Sequence, residues 1–528
     1  MNMKQPIVIM AAMTLSFSVQ AQTLEDGVKM YKYERYESAK NALAPLAATN
    51  TTANYYLGLA ELGLGHTNEA KAIFTKYPED AANMAGLARV AFVSNNPAEG
   101  TRLAQVVADK AGKKAWEPLK LAADAITYTD GGNRQQAIEW YETALKRNDN
   151  PDIRIALGDA YLKLPDNSGG GKAMSSYESV TAKDPKNSLA FSRIGALWYA
   201  AKNYPLALEN YQKAKDADPS NPLPYRDLAN AYFWTGKYDL AKQNIEKYLE
   251  LSDKSAEDLI NYGNILYLSK DYEGAIKVMQ DLLGKGIVKP GMYGILGFSQ
   301  YETKDYPNAL QNVREYFAKQ DPKKLTPFDY LQFGKIAMAN ELSDSAEYYL
   351  NQAVAQDTAT NKSETYRQIA EGFKTSKDYA KSAQWYEKLV TAYPETQPLD
   401  YFWWGAMHYY AKNYDAAAKA FAAMETKYPD QPSATYWRGR VAAAQDDEGK
   451  TGVAVPHYEK WLDTVGYDYE KTSDLMYAYQ YLALYYYNTE NSEKTKFYMD
   501  KIEAIEPQNS FLKQLKEIIA KQAKPARK

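Results

Sequence analysis

Apolar and small residues recur along this chain at spacings of three and four, and the whole arrangement returns every 34 residues. Gly195, Trp198, Ala207, Tyr211 and Ala214 lead to Pro219; in the next three intervals Ala229, Gly263 and Gly297 take the glycine place and Ala241, Ala275 and Ala309 the first alanine place. Residues three and four apart share one face of a helix, so each interval predicts two amphipathic helices. The segment AAKNYP supplies a turn between them, and Asp218-Pro219 ends the second, because the residue before a proline is driven out of the α region. The unit is an antiparallel helix pair. Strand-like alternation appears at no useful length, so the expected class is all-α. Glycine within a helix costs roughly 0.5–1 kcal/mol relative to alanine, and its recurrence predicts that two backbones approach closely there.

A period between 20 and 50 residues signals stacked supersecondary units rather than one compact core. Such a stack reconciles 528 residues with the absence of a Pro/Ser/Gly-rich linker. The same order of small, small, large and small-or-larger positions recurs at Gly27/Ala39/Leu43/Leu46, Gly58/Ala70/Phe74/Tyr77, Ala88/Gly100/Ala104/Val107 and Ala125/Ala137/Tyr141/Ala144. It continues at Gly334/Ala346/Leu350/Ala353, Ala370/Ser382/Tyr386/Leu389, Gly405/Ala417/Phe421/Met424 and Ala483/Thr495/Met499/Ile502. Two units, Gly158/Ala173/Tyr177/Val180 and Gly439/Ala454/Tyr458/Trp461, carry three extra residues in the inter-helix turn.

This pattern resembles the tetratricopeptide repeat across nearly the whole chain, with about fourteen units over residues 22–509. The resemblance implies a right-handed superhelical solenoid of helix pairs, with the first helix of each pair lining a concave groove. It implies a non-enzymatic scaffold that binds a protein or peptide. Residues 510–528 read as a lysine-rich amphipathic helix that caps the last unit, followed by a basic tail.

The first twenty-one residues break the pattern. Lys4 precedes a largely apolar, uncharged run from Ile7 to Val19, and Val19-Gln20-Ala21 has the form of a small-x-Ala cleavage site. Residues 1–21 are therefore expected to be a signal peptide, the run being shorter than a comfortable bilayer span. The mature chain is expected in the periplasm or secreted, as part of a bacterial envelope, with membrane contact only indirect. A formal charge of −3 lacks the basic excess of a nucleic-acid binder, and the absence of cysteine removes disulfides, thiolate catalysis and cysteine zinc sites.

Catalytic constellations fail individually. His66, His408 and His457 never approach a metal-binding spacing; His408 reads as a core residue and the others lie in or beside turns. Two segments look like phosphate loops. Ser168–Ala173 ends in alanine where a magnesium-binding hydroxyl belongs, and Asp446–Thr451 carries three acidic residues; both fall in the enlarged turns rather than after a strand. No catalytic residue, cofactor or metal is expected.

The groove remains. Four positions past the glycine the chain places Tyr31, Tyr199, Phe233, Tyr267, Tyr301, Tyr409 and Tyr487, an aromatic ladder that either meets a ligand or packs against the adjacent repeat. Arg226, Asn230 and Asn261 match part of a carboxylate clamp known in the family, but Gly291 and Ile295 stand where two basic residues would complete it, so capture of a terminal carboxylate is not expected. The candidate groove contacts are Tyr199, Arg226, Asn230, Phe233, Asn261, Tyr267, Tyr301 and Tyr409. Their partner is a protein or peptide, with a glycan of envelope polysaccharide handling as the alternative.

Overall fold

The computed structural model describes residues 23–522 other than Asn167 and Asp468, so the expected leader and the basic tail lie outside the described residues. The described residues hold 29 α-helices and no strand: fourteen antiparallel pairs and a final helix, Ser510–Gln522, as the repeat register requires. The described residues form two compact units, one up to Ile287 with repeats one to eight and one from Val288 with repeats nine to fourteen and the final helix. No helix among the described residues is long and apolar enough to cross a membrane.

Outside the two enlarged turns, each pair is closed by a turn of the same form. Seven residues past the glycine position the backbone enters the left-handed region, at Lys202, Gly236, Lys270, Lys304, Lys377 and Lys412 among others. That reversal lets the next residue's N–H reach back to the ending helix: Asn203 donates to the Trp198 carbonyl at 2.9 Å and Asp271 to that of Leu266 at 2.9 Å. The same residue then starts the second helix. The Asn203 side chain accepts from the Leu206 N–H at 3.3 Å, and Asp271 Oδ1 from that of Gly274 at 3.0 Å.

The glycines have a different purpose from the one their recurrence suggests. A Cβ on Gly195 would lie 2.6 Å from the Tyr211 ring, on Gly405 2.7 Å from Phe421, and on Gly334 2.5 Å from Leu350. The close approach is therefore made by a large side chain of the second helix, sixteen residues on, which enters the notch left by the missing Cβ. Backbone meets backbone at Gly297, where Val313 N and Ala309 O stand 3.0 and 3.1 Å from the added atom. Ala207, Ala241, Ala275 and Ala309 are fully buried, as the expected contact requires.

Each unit has its own core. In the first, Phe92, Ile126, Tyr141, Ile153 and Tyr177 join one continuous cluster; in the second, Phe373, Tyr386, Trp404 and Phe421 form another. Leu512 and Leu515 of the final helix are buried with Leu482 and Ile502, so this helix covers the last repeat. Repeats twelve and thirteen are also tied by Glu425, which accepts hydrogen bonds from Thr435 at 2.8 Å and Lys460 at 2.9 Å and pairs with Arg438. Burial opposes ionisation of Glu425, but the hydrogen bonds from Lys460, Arg438 and Thr435 outweigh it and hold the carboxyl at about 2.

Two expected outcomes follow from this packing. Ala207→Leu overfills the notch side of its pair and lowers stability by roughly 1–3 kcal/mol, read as a lower urea midpoint. Because the folded value of Glu425 lies below its ordinary 4.5, its stabilisation is complete above that pH and disappears as pH falls toward about 2. The melting temperature of wild type therefore exceeds that of Glu425→Gln at pH 6, and the gap closes on acidification.

Candidate functional site

The candidate aromatics are half-buried, and the structure shows what they do locally. Each leans on the ring that opens its partner helix five residues later: Tyr199 on Tyr204 at 5.6 Å between centres, Phe233 on Tyr238 at 6.1 Å, Tyr267 on Tyr272 at 5.8 Å, Tyr301 on Tyr306 at 5.8 Å and Tyr409 on Tyr414 at 5.7 Å. The ladder thus clasps the turn inside each repeat. The contact lies within the pair, and some of the rings also meet the adjacent repeat, as Tyr409 does with Trp437 at 5.3 Å.

In the first unit the structure brings Arg226, Asn230 and Asn261 together around a cavity of about 950 Å³, also lined by Glu34, Tyr36 and Tyr248. Asn261 Nδ2 lies 3.5 Å from Asn230 Oδ1. Arg226 is already engaged: Nη1 donates to Glu34 at 2.5 Å, Nε lies 3.7 Å from Asp227, and the guanidinium stands 5.9 Å from the Tyr248 ring centre. Burial outweighs the adjacent Arg226 and pushes the Asp227 carboxyl up to about 6. Glu34 belongs to the first repeat, and three further contacts accompany it. Tyr33 donates to Asp218, Ser38 Oγ donates to Asp253 at 2.5 Å, and Lys32 pairs with Asp152 at 3.3 Å. The first repeat therefore returns onto its own unit.

A rule of pairing links neighbouring repeats. The residue one past the glycine position meets the residue two before the next one: Asp159 with Arg193 at 2.8 Å, Asn230 with Asn261, and Lys335 with Gln368 at 3.2 Å. Asp159 also accepts from Tyr177 at 2.8 Å and Tyr128 at 3.0 Å. These polar ties escaped the reading of single residues, although the register places each at an equivalent position.

In the second unit Tyr301 lines a cavity of about 500 Å³ with Glu302, Lys335, Gln368 and Glu371. Burial lowers the proton affinity of Lys335, which has Gln368 as its hydrogen-bond partner. Tyr409 belongs to a second cluster. Arg440 donates to its hydroxyl at 3.4 Å and lies over Tyr477 at 4.1 Å and Trp437 at 5.0 Å, while Lys374 sits 3.9 Å over Trp403. Tyr410 and Tyr477 are about half exposed at its edge, at 48% and 53%.

Several of the sites that sequence motifs suggest are occupied by the chain itself. Asp446 fills its own turn, accepting from the Thr451 and Gly452 N–H groups at 2.9 Å each and from Tyr481 at 2.5 Å, so the amides of this phosphate-loop lookalike hold an internal carboxylate. His66 bonds Glu61 at 2.7 Å, and His408 is buried, which lowers its proton affinity. Among the described residues no group of histidine and carboxylate side chains could hold a metal ion.

The sequence profile of the tetratricopeptide repeat matches residues 166–222, 226–290 and 407–468. The chain carries tetratricopeptide repeats. The matched stretches coincide with repeats five to eight and with twelve and thirteen. No curated protein matches the chain. Among solved structures, the chain is similar to the C-terminal part of a repeat-containing protein from Cytophaga hutchinsonii, with 28% identity over 48% of this chain and 98% of that one, at a TM-score of 0.40. A tetratricopeptide repeat protein from Parabacteroides merdae gives 18% identity over 50% and 98% of the two chains, at 0.33. A protein of the APC/C hetero-tetramer Cut9-Hcn1 gives 14% over 85% and 94%, at 0.32.

The tetratricopeptide register makes Asp159 a shared acceptor between repeats. Asp159→Ala leaves Arg193 and two tyrosine hydroxyls without it and costs roughly 2–3 kcal/mol, moderated by the partial exposure of Arg193. A urea titration of the variant checks this.

Proposed function

We infer that the chain is a protein–protein interaction scaffold, the role to which its tetratricopeptide repeats point. We propose that it works in the bacterial envelope, exported by the leader at residues 1–21, and receives an extended peptide segment of a partner on the first-helix face of repeats eleven to fourteen. The observation that carries this reading is the cluster of Tyr409, Tyr410, Trp437, Arg440 and Tyr477, where exposed rings stand beside a cation with no carboxylate partner among the described residues. Tyrosine and arginine together offer a rigid apolar face and directed donors, the chemistry enriched at binding hot spots. A peptide suits this surface better than a glycan, because Lys374 and Arg440 cover the faces of Trp403 and Tyr477 on which a sugar would stack. The scaffold performs no chemistry of its own in this reading; its product is proximity between partners.

Selection of a displayed random-peptide library on the purified protein tests the site. Enriched peptides should bind wild type and lose about tenfold or more in affinity for Tyr477→Ser and Arg440→Ala, as expected for a hot spot of about 1.4 kcal/mol or more. Equal binding to all three proteins, or enrichment on a glycan array instead, contradicts the assignment.

A further inference from the structure

Arg89 breaks the pairing rule of the array. It stands one past the small residue Ala88 of the third repeat, where Asp159, Asn230 and Lys335 stand in theirs. Its counterpart two before the next small position is Ala123, which has no acceptor to offer. Arg89 is only 7% exposed, its Nε is buried without a hydrogen-bond partner, and it makes no ion pair among the described residues. The one carboxylate that acts on it among the described residues, Asp124, is engaged by Lys120 at 2.7 Å and by the Tyr141 hydroxyl at 2.7 Å. A buried, unpaired guanidinium is costly, and proteins retain one where something else completes it.

Its surroundings are those of an oxyanion site. Tyr31 of the first repeat and Tyr55 of the second lie within its electrostatic reach. Tyr56 packs between them, 5.4 Å from Tyr31 and 5.3 Å from Tyr55 by ring centres, and none of the three hydroxyls has a hydrogen-bond partner among the described residues. The guanidinium rests 5.4 Å from the centre of the Tyr128 ring, whose hydroxyl is turned to Asp159. Burial holds the Tyr55 and Tyr56 hydroxyls above their ordinary values, so they remain protonated donors at neutral pH.

We propose that Arg89, with the hydroxyls of Tyr31 and Tyr55, binds a single carboxylate supplied from outside the chain. The planar fork of arginine matches the two oxygens of a carboxylate. A phosphate dianion fits less well, because Asp124 already places one carboxylate within reach of Arg89 and opposes a second negative charge on the ligand. The site lies in the first unit and stands independently of the peptide-binding face in the second.

Equilibrium dialysis of the full chain against labelled succinate, a capped Gly-Gly-Glu-Gly-Gly peptide and inorganic phosphate, at constant ionic strength, tests the assignment. Succinate or the glutamate peptide should bind wild type and raise its melting temperature, with binding at least tenfold weaker in Arg89→Met and reduced in Tyr55→Phe. Preference for the peptide identifies a side chain of a partner as the source, and preference for succinate a free small acid; either supports the site. Arg89→Met should melt no lower than unliganded wild type, because it removes an uncompensated charge. Absence of carboxylate binding, undiminished binding to Arg89→Met, stronger binding of phosphate, or a marked loss of stability in Arg89→Met would each overturn the proposal, the last by showing that the guanidinium is a structural group.

Discussion

The packing of the glycine-bearing repeats depends on one steric exchange. In most of the repeats with glycine at the first position, the first helix gives up a Cβ and a large side chain of the second helix takes the space, as Tyr211 does against Gly195 and Phe421 against Gly405. The exchange sets how close the two helices lie and which face each turns to its neighbours. It also sets the side chains one past and two before the notch, which become the polar contacts from repeat to repeat. Apolar packing supplies most of the stabilisation in such a stack, and the polar ties choose the register.

Much of this was legible in the chain. The 34-residue interval and the small residues give fourteen pairs, the two enlarged turns and the final capping helix in their observed places. Local rules carry that far, because helix periodicity and turn chemistry act over a few residues. The recurrence of the glycines shows that space is needed at those positions without showing which atoms fill it. The spacing of the aromatic ladder does not show that Tyr199 and Tyr301 also lean on rings five residues away, across a turn whose geometry depends on left-handed Lys202 and Lys304.

Contacts between distant repeats could not be read at all. Arg226 resembles a ligand-binding residue until Glu34, 192 residues earlier, is seen against it. No periodic pattern marks that meeting, since it arises from how many repeats accumulate before the chain returns on itself. The same logic separates occupied from unoccupied cations. Arg193 and Arg226 are balanced by carboxylates of the chain, whereas Arg89 and Arg440 are surrounded by tyrosine and tryptophan rings. A scaffold without catalytic groups discriminates partners through such residues, because a charge left for a partner to complete rejects any that cannot complete it.

A double-substitution cycle at Gly405 and Phe421 tests the steric exchange most directly. Gly405→Ala alone should destabilise the protein, since the added Cβ would lie 2.7 Å from the Phe421 ring. In a Phe421→Ala background the same change should become neutral or stabilising, because alanine is the better helix former by about 1 kcal/mol and the notch is empty. The account predicts a coupling energy of about 1–3 kcal/mol between the two sites; additive effects, with no coupling beyond error, would contradict it.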